Sequence, residues 1–164
     1  MIIIGIDPGT ANTGYGIIQT ISKPKGDFEC LDYGLIKTSP LLNPGERLKK
    51  IHSDLSVLLN KYKPAALAVE KIYFFKNLKT AMPVSQAKGV ILLTAAKKRV
   101  PVYEFTPLQV KMGIVGYGKA EKKQVQKMIK LLLRLEEIPK PDDAADALGL
   151  AVCCAGIIKS HRGS

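Results

Sequence analysis

The chain begins with an apolar run that stops at an acid. Ile2, Ile3, Ile4 and Ile6 are β-branched, Asp7 follows them, and Pro8-Gly9 is a turn signal. Such a run predicts a strand buried on both faces. A carboxylate at the end of a core strand is expensive to desolvate unless a cation, a basic partner or a metal offsets the cost. The pattern recurs downstream. Leu67, Ala68 and Val69 form an apolar run that ends in Glu70, and Asp143 and Asp146 open a helical stretch near the C-terminus. The expectation is that Asp7, Glu70, Asp143 and Asp146 converge on one site and hold divalent metal.

The intervening segments predict how these acids meet. Thr13 to Ile21 and Phe28 to Lys37 read as second and third strands, joined by the turn Lys23 to Asp27, which makes an antiparallel meander with the first. Asn43 is a helix N-cap with Pro44 at the first helical position. Leu48, Ile51, Leu55, Leu58 and Leu59 then recur at helical spacing through Tyr62. Ala65 to Glu70 is a fourth strand. A helix between strands implies a crossover and parallel pairing, most simply against the first strand, and this sets Glu70 beside Asp7.

Further on, Gln86 to Arg99 reads as a helix whose start is blurred by Pro83, Pro101 to Phe105 as a fifth strand and Pro107 to Met112 as a short helix. Gly113 to Gly118 reads as a flexible connection, Ala120 to Leu135 as a helix with its lysines mostly outward, and Asp142 to Ile158 as the last helix. The fold class expected is α/β: a mixed five-stranded sheet flanked by helices, in one domain over residues 1–164.

Composition narrows the function. A chain of 164 residues with 46% hydrophobic residues suits one globular domain. No apolar stretch approaches the roughly 20 residues that span a bilayer. Asp7 interrupts the isoleucines too early for a signal peptide, so a cytoplasmic location and no membrane partner are expected. Lys and Arg number 25 against 14 Asp and Glu, a formal net charge of +11 that suggests a polyanionic partner, nucleic acid above all. Cys30, Cys153 and Cys154 lack CxxC spacing and read as packing residues; His52 and His161 read as surface or incidental.

Asp143 and Asp146 stand three residues apart and so share a helical face. Acids at a helix N-terminus also support the dipole, which accounts for Asp142. The small and apolar neighbours of Asp146 suggest a packed face. Four acids at one sheet edge suit Mg²⁺, and two such ions about 3.5–4 Å apart serve phosphodiester cleavage. Asp-x-Gly-Thr after a strand also opens the phosphate loop of actin-like kinases, but those folds need two such domains.

The segments IDPGTANTGYG, AVEKIYFFKN, QAKGV, TPLQVK with GYGKAEKKQVQ, and DDAADALGLA together resemble, in this order and over nearly the whole chain, the RuvC family of Holliday junction resolvases. The resemblance implies a ribonuclease H-like fold and a two-fold homodimer. It also implies paired nicking of four-way junction DNA with Mg²⁺ or Mn²⁺, leaving 5′-phosphate and 3′-hydroxyl ends, and a branch-migration motor as partner.

Position by position, the resemblance implies Asp7, Glu70, Asp143 and Asp146 as the catalytic, metal-holding acids, with Asp143 preferred over Asp142 for its DAAD spacing to Asp146. It implies Tyr73 as the aromatic wedge with Phe74 adjacent, Lys76 beside them, Lys111 and Lys122 near the active site, and Lys119 and Lys123 on the DNA backbone. The helix around Gln86 to Ala96 is the candidate dimer seam through Ala87, Gly89, Ala95 and Ala96, unless that face packs on its own sheet. The alternatives are a ribonuclease H-like nuclease that processes structured RNA, and a junction-binding protein without catalysis.

Overall fold

The computed structural model describes residues 1–21, 27–72 and 78–162. Strands β1 (Ile2–Asp7), β2 (Asn12–Thr20) and β3 (Phe28–Lys37) lead to helix α1 (Pro44–Tyr62) and strand β4 (Ala66–Glu70). Helix α2 (Leu78–Lys97), strand β5 (Val102–Phe105) and helices α3 (Pro107–Val115), α4 (Lys122–Leu132) and α5 (Asp142–Arg162) follow. The sheet has five strands in the order β3-β2-β1-β4-β5. β1, β2 and β3 pair antiparallel, and β4 pairs parallel with both β1 and β5. The mixed sheet flanked by helices expected from the sequence is therefore present, with the meander and the crossover in their expected places. Among the described residues, no helix is long and apolar enough to cross a membrane.

The strands are apolar on both sides because helices cover both sides. Ile4, Ile6, Ile17, Leu67 and Val69 pack with Ile51 and Leu55 of α1 and Ala87, Ile91 and Ala95 of α2. Ile3, Ile18, Ala66 and Ala68 pack on the opposite face with Leu148, Ala151 and Ala155 of α5 and with Ile114 and Ile129 of α3 and α4. Helix α1 starts where the sequence says, at a capping box. The Asn43 side chain accepts from the Glu46 backbone N–H at 2.9 Å, and the Asn43 N–H donates to the Glu46 carboxylate at 3.1 Å.

Helix α5 lies unusually close to the sheet. A Cβ placed on Gly5 of β1 would sit 1.9 Å from the Ala147 carbonyl oxygen, and one on Gly14 of β2 2.1 Å from that of Asp143. At these two positions backbone rests on backbone, and only glycine leaves the room. The helix answers with small residues: Ala144, Ala145, Ala147 and Ala151 are fully buried.

Several boundaries differ from the sequence reading. Helix α2 begins at Leu78, eight residues before Gln86, and runs through Pro83. Proline forfeits one backbone bond there, but Ala81, Ala87, Ile91 and Ala95 are buried and hold the helix to the core. Ala87 and Ala95 thus face the chain's own sheet, so only Gly89 and Ala96 of the four small residues remain outward. Helix α3 continues to Val115, absorbing Gly113, and stops at Gly116, whose φ of +74° caps it with an N–H to the Met112 carbonyl. Helix α4 is shorter than expected, and α5 extends beyond Ile158 to Arg162. His52 is not incidental: it is half-buried, with Nδ1 2.7 Å from the hydroxyl of fully buried Thr94, joining α1 to α2.

The glycine contacts give a paired expectation. Gly5→Ala should destabilise the protein by about 1–3 kcal/mol, since overpacking against backbone cannot be relieved by rotating a side chain. Gly156→Ala in α5, where an added Cβ meets nothing within 4 Å, should stabilise it by about 1 kcal/mol. Urea denaturation midpoints at constant m-value check both.

Candidate active site

Strand parity aims the acids. On β1, Ile3 and Gly5 face α5 while Ile4 and Ile6 face α1 and α2, so Asp7 falls on the α5 side. On β4, Ala66 and Ala68 face α5 and Leu67 and Val69 face away, so Glu70 falls on the same side. The parallel register sets Ile6 beside Val69, and Asp7 and Glu70 leave the sheet at the same edge. The first turn of α5 arrives at that edge because Gly14 supports Asp143 from below.

The turn after Asp7 is braced from two directions. Fully buried Thr13 donates its hydroxyl to the Gly9 carbonyl at 2.6 Å, and Thr38 donates to the Thr10 carbonyl. Arg47 Nε in turn donates to the Thr38 hydroxyl at 2.9 Å. This network makes the Pro8–Gly9 turn part of the framework, so the Asp7 position is fixed on both sides.

Carboxylate oxygens of Asp7, Asp143 and Asp146 lie within 4.8 Å of one another. Glu70 is outside that group but lines the same cavity, of about 280 Å³, with Asp7, Asp146, Lys111 and Lys122. Val110, Val125, Ile129 and Leu150 form its apolar wall. Burial, reinforced by Glu70, Asp146 and Asp143, pushes the Asp7 carboxyl from the ordinary 3.8 up to about 8. Burial also raises Glu70, with Asp146 adding to it, and raises Asp146 against the pull of Lys122. Asp7, Glu70 and Asp146 thus gather buried negative charge that a bound cation would offset. The donors are all carboxylate oxygens, the set that hard divalent ions prefer and softer metals do not select. The residues present therefore fit a hard divalent cation.

Lys122 supplies part of the missing charge. Its ammonium donates to Asp146 at 2.9 Å and lies 3.3 Å from Asp142. Burial alone would lower the lysine, but the two carboxylates outweigh it and the net displacement is upward. Asp142 and Asp143 separate cleanly. Asp143 joins the Asp7 group, whereas Asp142 turns to Gln126 and Lys122. Gln126 donating to Asp142, with Lys122 adding to it, holds the Asp142 carboxyl below its usual range.

Of the expected DNA-contacting residues, Lys111 and Lys122 line the cavity, and Lys119 and Lys123 are exposed outside it. Tyr73, Phe74 and Lys76 lie outside the described residues. Sequence reasoning missed Gln126, which is buried, and the supporting role of Gly5 and Gly14. The signal for Gln126 was available: it follows Lys122 by four residues, so both project from one face of α4.

With this geometry in hand, comparisons with known proteins agree. Residues 3–154 match the family model described as crossover junction endodeoxyribonuclease RuvC. A RuvC from Halothermothrix orenii is 52% identical over 162 residues, covering 99% of this chain and 96% of the relative. The structure of Thermus thermophilus RuvC superposes with a TM-score of 0.92 at 35% identity, covering 98% of this chain and 97% of that one. The same protein in complex with a Holliday junction substrate gives 0.91 at 34% identity, over 98% and 96% of the two chains. Sequence, sheet order and the placement of the acids thus converge, and the chain belongs to the RuvC family of crossover junction endodeoxyribonucleases.

Proposed function

We propose that this chain is a structure-selective endonuclease that resolves four-way DNA junctions in recombination and repair. It acts by paired, metal-dependent phosphodiester hydrolysis that leaves 5′-phosphate and 3′-hydroxyl ends. The observation that carries this reading is the meeting of Asp7, Asp143 and Asp146 at one sheet edge with Glu70 across the same cavity. The substrate class is supported by the T. thermophilus relative, whose structure was solved with a Holliday junction substrate. Each copy is one domain over residues 1–164, and the protein acts in the cytoplasm.

Asp7, Glu70, Asp143 and Asp146 are the residues that would hold Mg²⁺, with Mn²⁺ as a substitute and two ions per site. When bound, these ions supply an activated water and offset charge on the leaving oxygen. The protein's own groups do the rest. Asp7, held by its braced turn, fixes the centre of the donor set. Lys122 and Lys111, at the cavity, attract the scissile phosphate and offset negative charge as it develops. Lys119, Lys123 and Lys76 engage the DNA backbone, and Tyr73 with Phe74 stack on opened bases at the junction centre.

A second copy of the chain would present a second, equivalent site to a pseudo-symmetric junction. The face of α2 that points away from the sheet suits this role. Met82 and Leu93 are 64% and 58% exposed, and an added Cβ at Gly89 between them meets nothing. Met82, Gln86, Gly89, Leu93 and Ala96 recur at alternating four- and three-residue steps, the spacing of a helix seam. A branch-migration motor is the further partner implied by the family.

Asp7→Asn should bind a synthetic four-way junction with wild-type affinity at fixed salt yet cut it at least about a hundredfold more slowly, since several kcal/mol of charge stabilisation are lost. Normal cutting would refute the metal assignment, and equal cutting of structured RNA at matched salt would refute the DNA assignment. Leu93→Glu should give a monomer in sedimentation and abolish paired nicking.

Stability should also depend on pH in a defined sense. The folded chain keeps the Asp7 proton up to about pH 8, whereas the unfolded chain releases it near 3.8. Between these values the folded state binds more protons, so metal-free stability should fall as pH rises through that window. Thermal melts at pH 5 and pH 8.5 should show the loss. Mg²⁺ should reverse it more at the higher pH, and Asp7→Asn should flatten it.

A further inference from the structure

Helices α4 and α5 confront each other with two pairs of polar residues. Lys122 and Gln126 are four apart on α4, and Asp142 and Asp146 are four apart on α5, so each pair shares a helix face. Lys122 Nζ reaches both acids, at 2.9 Å to Asp146 and 3.3 Å to Asp142. Gln126 Nε2 donates to the other oxygen of Asp142 at 3.0 Å. Gln126 is 8% exposed, whereas the Asp142 side chain is 66% exposed. An exposed carboxylate ordinarily samples several rotamers, but here a buried amide holds it in one place. Asp142 stands apart from the Asp7–Asp143–Asp146 group, and the chemistry proposed above leaves it without a task.

We propose that Asp142, fixed by Gln126, is a positioning residue that retains Lys122 at the mouth of the active site when a divalent ion engages Asp146. The inference rests on the metal reading of Asp7, Asp143 and Asp146. Asp146 has two suitors, the lysine ammonium and a dication, and these repel one another. With Asp146 alone as anchor, Lys122 competes with the ion for the same carboxylate, and once displaced it is free to leave for solvent. With Asp142 as a second anchor, the ammonium gives up one contact and keeps the other. It stays at the cavity, where its charge meets the phosphate. Asp142 therefore acts on the metal and on the substrate through Lys122 and touches neither.

The test is a double-mutant cycle read first without DNA. Mg²⁺ binding is measured by calorimetry for wild type, Asp142→Asn, Lys122→Met and the double variant. Asp142→Asn should weaken Mg²⁺ binding about tenfold, a typical cost of losing a group that orients a metal site's neighbours. In the Lys122→Met background the same change should have a clearly smaller effect on Mg²⁺ affinity, the part that the lost carboxylate charge causes by itself. A purely long-range charge effect of Asp142 would weaken binding equally in both backgrounds and would overturn the proposal. Junction cleavage is the second readout: Asp142→Asn should lower kcat about tenfold with unchanged KM and no further loss in the Lys122→Met background. Asp142→Glu should restore both properties, and failure of that rescue counts against the proposal. A wild-type protein that binds no Mg²⁺ would overturn the metal reading together with this inference, whereas additive effects overturn this inference alone.

Discussion

Everything at the acidic edge depends on the contact of α5 with β1 and β2, where glycine backbone meets helix backbone. Sheets and helices normally stand apart by the thickness of their side chains. Here Gly5 and Gly14 remove that layer on the strands, and the alanines of α5 thin it on the helix. The closeness draws the first turn of α5 down to the end of β1. Without it, Asp143 and Asp146 would sit a side-chain layer further from Asp7. The arrangement gathers like charges in a half-buried place, which is unfavourable in itself. The large isoleucine and leucine surfaces buried on both faces of the sheet offset that cost.

The distribution of charge follows from the same geometry. The chain carries a surplus of basic residues, yet Asp7, Glu70, Asp142, Asp143 and Asp146, a large share of its 14 acids, crowd one edge. A basic surround attracts a phosphate backbone, and an acidic centre repels it. The two requirements are compatible only if the centre can be neutralised on demand. Lys122 does this in part from within the chain, and a hard divalent ion would do so more completely. Lysine and ion would therefore address overlapping carboxylates, a competition that Asp142, held by Gln126, would moderate.

Much of this was legible in the amino-acid sequence where local chemistry alone decides the outcome. The bounds of β3 and the start of α1 followed from alternation and from the Asn43-Pro44 cap, because both are set within a few residues. The crossover that aligns Glu70 with Asp7 followed from chain order. The start of α2 was not legible: a proline normally argues against a helix, and here tertiary burial of Ala81, Ala87 and Ile91 overrides it. Gly113 suggested a loop but is an interior helix residue, kept small because a Cβ there would meet the Cys153 sulfur at 2.9 Å. The DAAD spacing already favoured Asp143 over Asp142, and the structure adds the reason: neighbouring helix residues point in different directions, Asp143 toward Asp7 and Asp142 toward Gln126 and Lys122. Gln126 was hard to single out because it stands with Gln124 among lysines like a solvated residue, and only its four-residue spacing from Lys122 pointed to a shared face.

The backbone contact at Gly5 and Gly14 also limits how this protein can change over time. When two side chains collide, a compensating replacement can trim the neighbour. Here the neighbour is a peptide carbonyl, and no replacement elsewhere in the helix removes it. A larger residue at either glycine can be accommodated only by lifting α5 as a whole, which would draw Asp143 and Asp146 away from Asp7. Second-site suppressors of such lesions should therefore be rare, and those that recover folding should do so without recovering the grouping of the acids.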